Sequence, residues 1–176
     1  MGFVLVLGGA RSGKSNLANR LGGDSGRSVT YIATATAGDA EMEERIRSHR
    51  RTRSPRWKTV EEPIDLLAAV RATAPESFLV VDCLTLWVTN MLLAGRTSEE
   101  VRAVAISVAG ELADRSAVVV SNEVGLGIVP ANELSRTFRD TLGVVNAEFA
   151  ELAERSVLMV AGRAVELSSS LGITPR

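Results

Sequence analysis

The residues with the most evident chemistry lie at positions 8–15, which read Gly-Gly-Ala-Arg-Ser-Gly-Lys-Ser. An apolar run, Phe3–Leu7, precedes them, and a helical pattern begins at Asn16. A strand, a G-x-x-x-x-G-K-S turn and a helix together form a phosphate loop, whose backbone N–H groups surround phosphate oxygens. In such a loop Lys14 contacts the β- and γ-phosphates and the Ser15 hydroxyl binds Mg²⁺. We therefore predict nucleotide binding by Gly8, Gly9, Ala10, Arg11, Ser12, Gly13, Lys14 and Ser15.

A carboxylate at the end of a buried strand is the second candidate. Asp82 follows the apolar run Phe78–Val81. In phosphate-loop enzymes an acid at this position holds Mg²⁺ beside the β- and γ-phosphates, so Ser15 and Asp82 form the predicted metal site. The simpler alternative is a carboxylate that caps the helix following the strand.

His49 is the only histidine of the chain, and it lies near the end of the predicted helix Ala40–Arg51. A neutral imidazole is a nucleophile that can attack phosphorus and later leave again. Six arginines between positions 45 and 56 could stabilise the charge on an attacked phosphate. The residues alone still favour a surface histidine on a basic helix. A nucleic-acid patch is disfavoured, because Trp57 is the only nearby aromatic residue.

The same helix and the segment after it contain further polar candidates. Met42 and Ile46 lie four residues apart, which predicts that they form the buried stripe of the helix. A carboxylate at Glu61 or Glu62 could orient a ribose or a base, or the two acids could serve the helix that Pro63 begins. Sequence alone leaves these two interpretations equal.

Composition limits the class of protein. The chain has 176 residues, a formal net charge of −1 and a single cysteine. One cysteine excludes an internal disulfide and a cysteine-based metal cluster, and the near-neutral charge argues against nucleic acid as a partner. The sequence shows neither a secretory signal nor an apolar run of membrane-spanning length. We expect a single domain over residues 1–176 and a cytoplasmic enzyme.

Short apolar runs alternate with helical patterns along the chain. The predicted strands are Phe3–Leu7, Val29–Ile32, Phe78–Val81, Ala117–Val120 and Val157–Val160, and the predicted helices are Ala40–Arg51, Ile64–Ala72, Leu84–Leu93, Glu99–Leu112 and Asn132–Glu154. Such alternation predicts an α/β fold with a mainly parallel sheet flanked by helices. Ligands bind at the carboxyl ends of such strands, where the phosphate loop, Asp82 and the loop Asn122–Gly127 all fall.

Together these segments resemble one family, the bifunctional adenosylcobinamide kinase and adenosylcobinamide-phosphate guanylyltransferase. The most specific matches are the histidine segment, Asp39–His49, and Asn-Glu-Val-Gly at positions 122–125. Further matches are the phosphate loop, Tyr31–Ala35, Glu61-Glu62-Pro63 and Asp82–Asn90. The resemblance covers nearly the whole chain in order, and Asp82 stands where relatives commonly carry glutamate.

The resemblance implies a RecA-like phosphate-loop fold, two transfer reactions, a homotrimer, and GTP, ATP and Mg²⁺ as ligands. Adenosylcobinamide would be phosphorylated on its aminopropanol hydroxyl, and GMP would then pass from GTP through a guanylyl-histidine to adenosylcobinamide phosphate. His49 would be the nucleophile, and Lys14 would assist catalysis. Nucleotide contacts beyond the phosphate loop would come from Ala33, Thr34, Ala35, Arg50, Arg51, Thr52, Arg53, Glu61 and Asp82.

Two other functions fit part of the sequence. A kinase acting on another small-molecule alcohol would need Lys14, Ser15 and Asp82 but would tolerate His49→Ala. A non-catalytic GTP-binding switch would bind nucleotide and transfer nothing. The switch leaves His49 and its neighbouring arginines without a role.

Overall fold

A seven-stranded sheet forms the centre of the molecule. A computed structural model describes residues 2–168. The strands are β1 (Phe3–Gly8), β2 (Val29–Ala33), β3 (Lys58–Glu61), β4 (Phe78–Asp82), β5 (Ala117–Val120), β6 (Arg155–Val160) and β7 (Arg163–Leu167). The helices are α1 (Lys14–Asp24), α2 (Ala40–Arg51), α3 (Leu66–Arg71), α4 (Leu84–Leu93), α5 (Ser98–Ala113) and α6 (Glu133–Leu152).

The order of strands across the sheet is β3-β2-β4-β5-β1-β6-β7. All neighbours pair in parallel except β6 and β7, which form an antiparallel hairpin. The carboxyl ends of the parallel strands share one edge, so the loops after β1, β2, β3, β4 and β5 meet there. This edge is where a parallel α/β sheet binds its ligands.

Apolar side chains cover both faces of the central strands. Val81 of β4 packs in the larger cluster with α4 and α5, whereas its neighbour Val80 faces α1 in the smaller cluster. Residues 79–81 and 117–120 are almost completely buried. Burial on both faces explains why these strands read as continuous apolar runs. None of the helices within residues 2–168 is long and apolar enough to cross a membrane.

The predicted helices and strands agree with the structure except for the two outermost strands of the sheet. β3 and β7 are absent from the predicted strands because neither contains a buried side chain. Helix bounds move by a few residues; α3, for example, spans Leu66–Arg71 rather than Ile64–Ala72. Asn132, predicted as helical, is the N-cap of α6, where its side chain accepts a hydrogen bond from the Ser135 backbone. The C-terminal residues 169–176 of the predicted single domain lie outside the described residues.

Candidate active site

The phosphate loop follows β1 and turns sharply into α1. A Cβ at Gly8 would lie 2.4 Å from the Met159 carbonyl oxygen, so only glycine fits there. Gly13 caps α1 with a φ of 100°, a conformation that glycine adopts readily. The loop is also braced, because the Glu123 backbone donates to the Gly8 carbonyl and the Gly162 backbone donates to the Ser12 carbonyl. The structure thus holds the loop in a fixed, phosphate-binding shape.

Lys14 is buried at the first turn of α1, with 8% of its surface exposed. Its Nζ donates a hydrogen bond to the Gly9 carbonyl at 2.7 Å. Burial lowers the pKa of Lys14 from its usual range, since desolvation penalises the ammonium ion. A phosphate anion in the loop would offset that penalty. The Lys14 ammonium group is therefore poorly solvated in the absence of a ligand, and a bound phosphate would stabilise its charge.

Asp82 ends β4 directly beside the phosphate loop. Its Oδ2 accepts a hydrogen bond from the Ser15 hydroxyl at 3.3 Å and another from the Tyr31 hydroxyl. A hydroxyl and a carboxylate are hard oxygen donors of the kind that Mg²⁺ prefers. No cluster of three or more His, Cys, Asp or Glu that could hold a metal occurs within residues 2–168. The donor set fits Mg²⁺ that takes its remaining ligands from phosphate and water.

His49 lies in the last turn of α2 and faces the phosphate loop across a cleft. Its Nδ1 is 3.9 Å from Asp82 Oδ2, and its side chain is 47% exposed. The prediction that Met42 and Ile46 are buried is wrong, since both are only partly covered. They line the cleft instead, because α2 packs over an open cavity rather than against the core. The imidazole is accordingly accessible to a ligand in the cleft.

A cavity of about 610 Å³ joins these groups. Its walls come from the phosphate loop, the end of β4 and the inner side of α2. The predicted site residues that line it are Ala10, Arg11, Ser12, Gly13, Lys14, Ser15, Ala35, His49, Arg53 and Asp82. Two Arg53 nitrogens, Nε and Nη1, are buried without a hydrogen-bond partner. Buried guanidinium donors of this kind are suited to an anionic ligand.

A second cavity, of about 460 Å³, lies on the other side of α2. Arg50 and Glu61 line it and form an ion pair with each other. Ala35 and Ile46 border both cavities, so the two spaces adjoin. Six predicted nucleotide residues line neither cavity: Gly8, Gly9, Ala33, Thr34, Arg51 and Thr52. Of these, Thr34 is fully buried and bonds the backbone of Cys83 at both its N–H and its carbonyl.

The chain matches a known protein family over nearly its whole length. A model of the family described as cobinamide kinase / cobinamide phosphate guanyltransferase matches residues 4–167. The chain belongs to this family. It is therefore an enzyme of the kinase and guanylyltransferase class, as the resemblance in sequence implied.

Curated relatives agree with the family match along nearly their whole length. The chain is 50% identical over 161 residues to the bifunctional adenosylcobalamin biosynthesis protein CobP of Pseudomonas aeruginosa, covering 90% of this chain and 92% of that one. It is 39% identical to the bifunctional adenosylcobalamin biosynthesis protein CobU of Salmonella typhimurium, with 94% and 99% covered.

Solved structures of lower identity share the fold. The flagellar accessory protein FlaH of Methanocaldococcus jannaschii matches with a TM-score of 0.51 at 14% identity, covering 97% of this chain and 79% of that one. An ATPase of a bacterial type III secretion system also matches with a TM-score of 0.51, at 12% identity, with 97% and 59% covered. The predicted RecA-like phosphate-loop fold is thereby confirmed.

Several residues that shape this family member's site were not among the predicted site residues. Tyr31 and Thr85 are buried and Asn90 is partly buried. Asn122, by contrast, belongs to the loop Asn122–Gly127 that the sequence placed at the ligand edge, and it lines the main cavity. Asn90 Nδ2 donates to the carbonyls of Thr34 and Pro63, which ties together the loops after β2 and β3. A lone asparagine in the apolar helix Leu84–Leu93 was a usable signal for such a role. Tyr31 gave no such signal, because an aromatic residue in an apolar strand is typical of a core.

Cys83, directly after Asp82, is a free cysteine that also lines the main cavity. Burial raises the pKa of its thiol to about 12, and the neighbouring Asp82 carboxylate adds to that shift. The thiol is therefore protonated at neutral pH and is a poor nucleophile. The thiol therefore does not compete with the His49 imidazole, which lines the same cavity.

Proposed function

We propose that His49 carries GMP between GTP and the phosphate of adenosylcobinamide phosphate, and that the phosphate loop serves both this transfer and the preceding phosphorylation. The observation that carries the proposal is that His49 Nδ1 lies 3.9 Å from Asp82, at the wall of the cavity that also contains Lys14. A nucleotide held by the loop would have its phosphates within the reach of the imidazole.

The guanylyl transfer consists of two displacements. A neutral ring nitrogen of His49 attacks the α-phosphorus of GTP, and the bond from that phosphorus to the bridging oxygen breaks, so pyrophosphate leaves. A phosphate oxygen of the acceptor then attacks the same phosphorus, and the bond to nitrogen breaks, which restores His49. Dividing the reaction replaces one encounter between two anions by two steps with a neutral nucleophile or leaving group.

The phosphorylation step uses the other side of the cavity. Lys14 and the loop's backbone N–H groups would hold the phosphates of ATP or GTP, and Arg53 would neutralise charge from the α2 side. Bound Mg²⁺ would supply further neutralisation of the phosphates, and Ser15 with Asp82 would hold it. The substrate hydroxyl approaches from the open mouth of the cleft. Positioning and charge neutralisation account for most of the catalysis in such transfers.

The remaining predicted nucleotide residues lie around the groups that would hold the phosphates. Glu61 and Arg50 line the adjoining cavity, which supports a role at the ribose or the base. The loops and the helix end that frame the site contain Gly8, Gly9, Ala33, Thr34, Ala35, Arg51 and Thr52.

Family resemblance further supports a homotrimer of single-domain chains in the cytoplasm. Light scattering of the purified protein measures the number of chains in that assembly.

Labelling with GTP that is radioactive at the α-phosphate tests the central step. We expect an acid-labile, alkali-stable label on the wild-type protein and none on His49→Ala. Ser48→Ala is the matched control, because Ser48 is the neighbouring cavity residue and is likewise exposed. Label on folded His49→Ala would refute the assignment of the nucleophile. An unlabelled wild type that still phosphorylates adenosylcobinamide would be a kinase alone.

A further inference from the structure

Three groups converge on a single oxygen of Asp82. The hydroxyls of Tyr31 and Ser15 both donate to Oδ2, and the His49 imidazole approaches the same atom. Only 12% of the Asp82 side chain is exposed, so these neighbours rather than water decide how its carboxylate is oriented. Ser15 belongs to the phosphate loop and His49 to α2. Tyr31 belongs to neither, and the proposed function gives it no role.

Tyr31 is held in place on both sides of its ring. The guanidinium of Arg53 lies over the ring, 3.7 Å from its centroid. Trp57 stacks at a centroid distance of 6.4 Å and an angle of 25°. With the ring held in this way, the Tyr31 hydroxyl points at Asp82 and donates its hydrogen bond to Oδ2.

The residues that stack on Tyr31 belong to the segment that follows the histidine helix. Arg53 and Trp57 lie between α2 and β3. Trp57 also packs against Gly22 of α1, where an added Cβ would be 3.1 Å from its ring. No described side chain of α2 is buried, so packing of its own side chains does little to hold α2 in place. The chain beyond its C-terminus is instead seated on the Tyr31 ring.

We propose that Tyr31 is a positioning residue that links the two halves of the site. Its hydroxyl fixes the Asp82 carboxylate beside the phosphate loop, and its ring holds the Arg53 guanidinium beside the histidine helix. This inference rests on the proposed function, since it assigns Asp82 to the Mg²⁺ side and Arg53 to the phosphates. The two contacts use different atoms of Tyr31 and can be removed separately.

Binding of GDP with and without Mg²⁺ separates the two contacts. Tyr31→Phe keeps the ring and removes the hydroxyl, so Asp82 loses one of its two hydroxyl donors while Arg53 stays stacked. A hydrogen bond to a charged group is strong enough to predict a roughly tenfold loss of GDP affinity in the presence of Mg²⁺. In EDTA, where Asp82 has no metal to hold, we expect the affinity to change less than about twofold. Calorimetric titration measures both values.

Arg53→Gln is the complementary variant. It leaves the Tyr31 hydroxyl on Asp82 and removes the charge that faces the phosphates. We expect the GDP affinity to fall by a similar factor with and without Mg²⁺. Ser77→Ala is the matched control for a lost hydroxyl hydrogen bond, because Ser77 pairs with Ser28 directly before β4 and β2, at the amino ends of the strands and away from the site. It should bind GDP as the wild type does.

Two outcomes overturn the inference. One is a Tyr31→Phe protein whose GDP affinity rises on addition of Mg²⁺ by the same factor as that of the wild type. The other is an equal loss in Mg²⁺ and in EDTA, which would indicate general loosening of the fold. A wild-type protein that binds GDP under neither condition would instead refute the proposed function.

Discussion

Replacing Asn90 with alanine should destabilise the protein and loosen its site at the same time. Asn90 Nδ2 is the donor to the Thr34 carbonyl at 2.7 Å and to the Pro63 carbonyl at 3.1 Å. Thr34 has no exposed surface, so water cannot replace the lost donor there. Pro63 is only half-buried, and its carbonyl can bind water instead. The main cost is therefore one buried, unsatisfied acceptor.

An unsatisfied buried acceptor costs about 1–3 kcal/mol of unfolding free energy. For a chain of this size each kcal/mol lowers Tm by about 2–4 °C, so we expect Asn90→Ala to lower Tm by roughly 2–12 °C. Asn90→Asp should be worse, because a carboxylate of the same shape cannot donate and would face the two carbonyls. The affinity for GTP should fall in both variants, since Ala35, next to Thr34, lines both cavities.

Calorimetry of thermal unfolding and titration with GTP measure the two effects. Thr89→Ala is the control, because its hydroxyl donates to the Thr85 carbonyl within the same helix, α4. That change should alter the unfolding free energy by less than about 0.5 kcal/mol. The reasoning fails if Asn90→Ala melts at the same temperature as Thr89→Ala, or if Asn90→Asp is as stable as the wild type.

Two further predictions concern titrating groups of the same cavity. Burial lowers the pKa of Lys14, so its ammonium form opposes folding at neutral pH, and we expect Lys14→Met to raise the Tm of the nucleotide-free protein while abolishing GTP binding. The difference in Tm between Lys14→Met and the wild type should shrink as the pH rises through the lowered pKa of Lys14. A lower Tm for Lys14→Met than for the wild type at pH 7 would contradict this prediction. With a thiol pKa of about 12, Cys83 should react with a disulfide reagent at pH 8 roughly a hundredfold more slowly in the native than in the unfolded protein, because its thiolate is much rarer although more nucleophilic. Equal rates in the two states would show that burial does not protect this thiol.

The centre of the sheet was predictable because its residues are buried on both faces. Leu79–Val81 carries no polar side chain, and Asp82 marks the point where the strand reaches the ligand edge. β3 was not predictable in this way, since Lys58, Thr59 and Glu61 are exposed and only pairing with β2 makes the segment a strand. Periodicity detects burial, and edge strands have little of it.

β7 was missed for a related reason. All five of its residues are exposed, and it pairs with β6 through a tight turn at Ala161 and Gly162, both of which have positive φ. Ala-Gly is a weaker turn signal than Asn-Gly, so the sequence suggested a strand end rather than a hairpin.

The motifs of the site were visible in the sequence, whereas the contacts between them were not. The phosphate loop and Asp82 were predicted from residue type and spacing, whereas a catalytic role for His49 was implied only by the resemblance to the family. The contact of Tyr31 with Asp82 joins residues 51 positions apart, and the contact of Asn90 with Thr34 joins residues 56 apart. Such pairs arise from the register of β2 against β4 and the placement of α4 over their ends. That register cannot be predicted from a single sequence.

The exposed setting of α2 separates the demands of folding from those of catalysis. Its polar residues contribute little to the core and, in the proposed function, serve the reaction, whereas Leu79–Val81 is buried in the core. A library that randomises Ala40–Arg51 should therefore yield mostly folded proteins with widely differing transfer rates. In an evolving lineage, this helix is the segment on which selection for a different acceptor molecule could act with the least loss of stability.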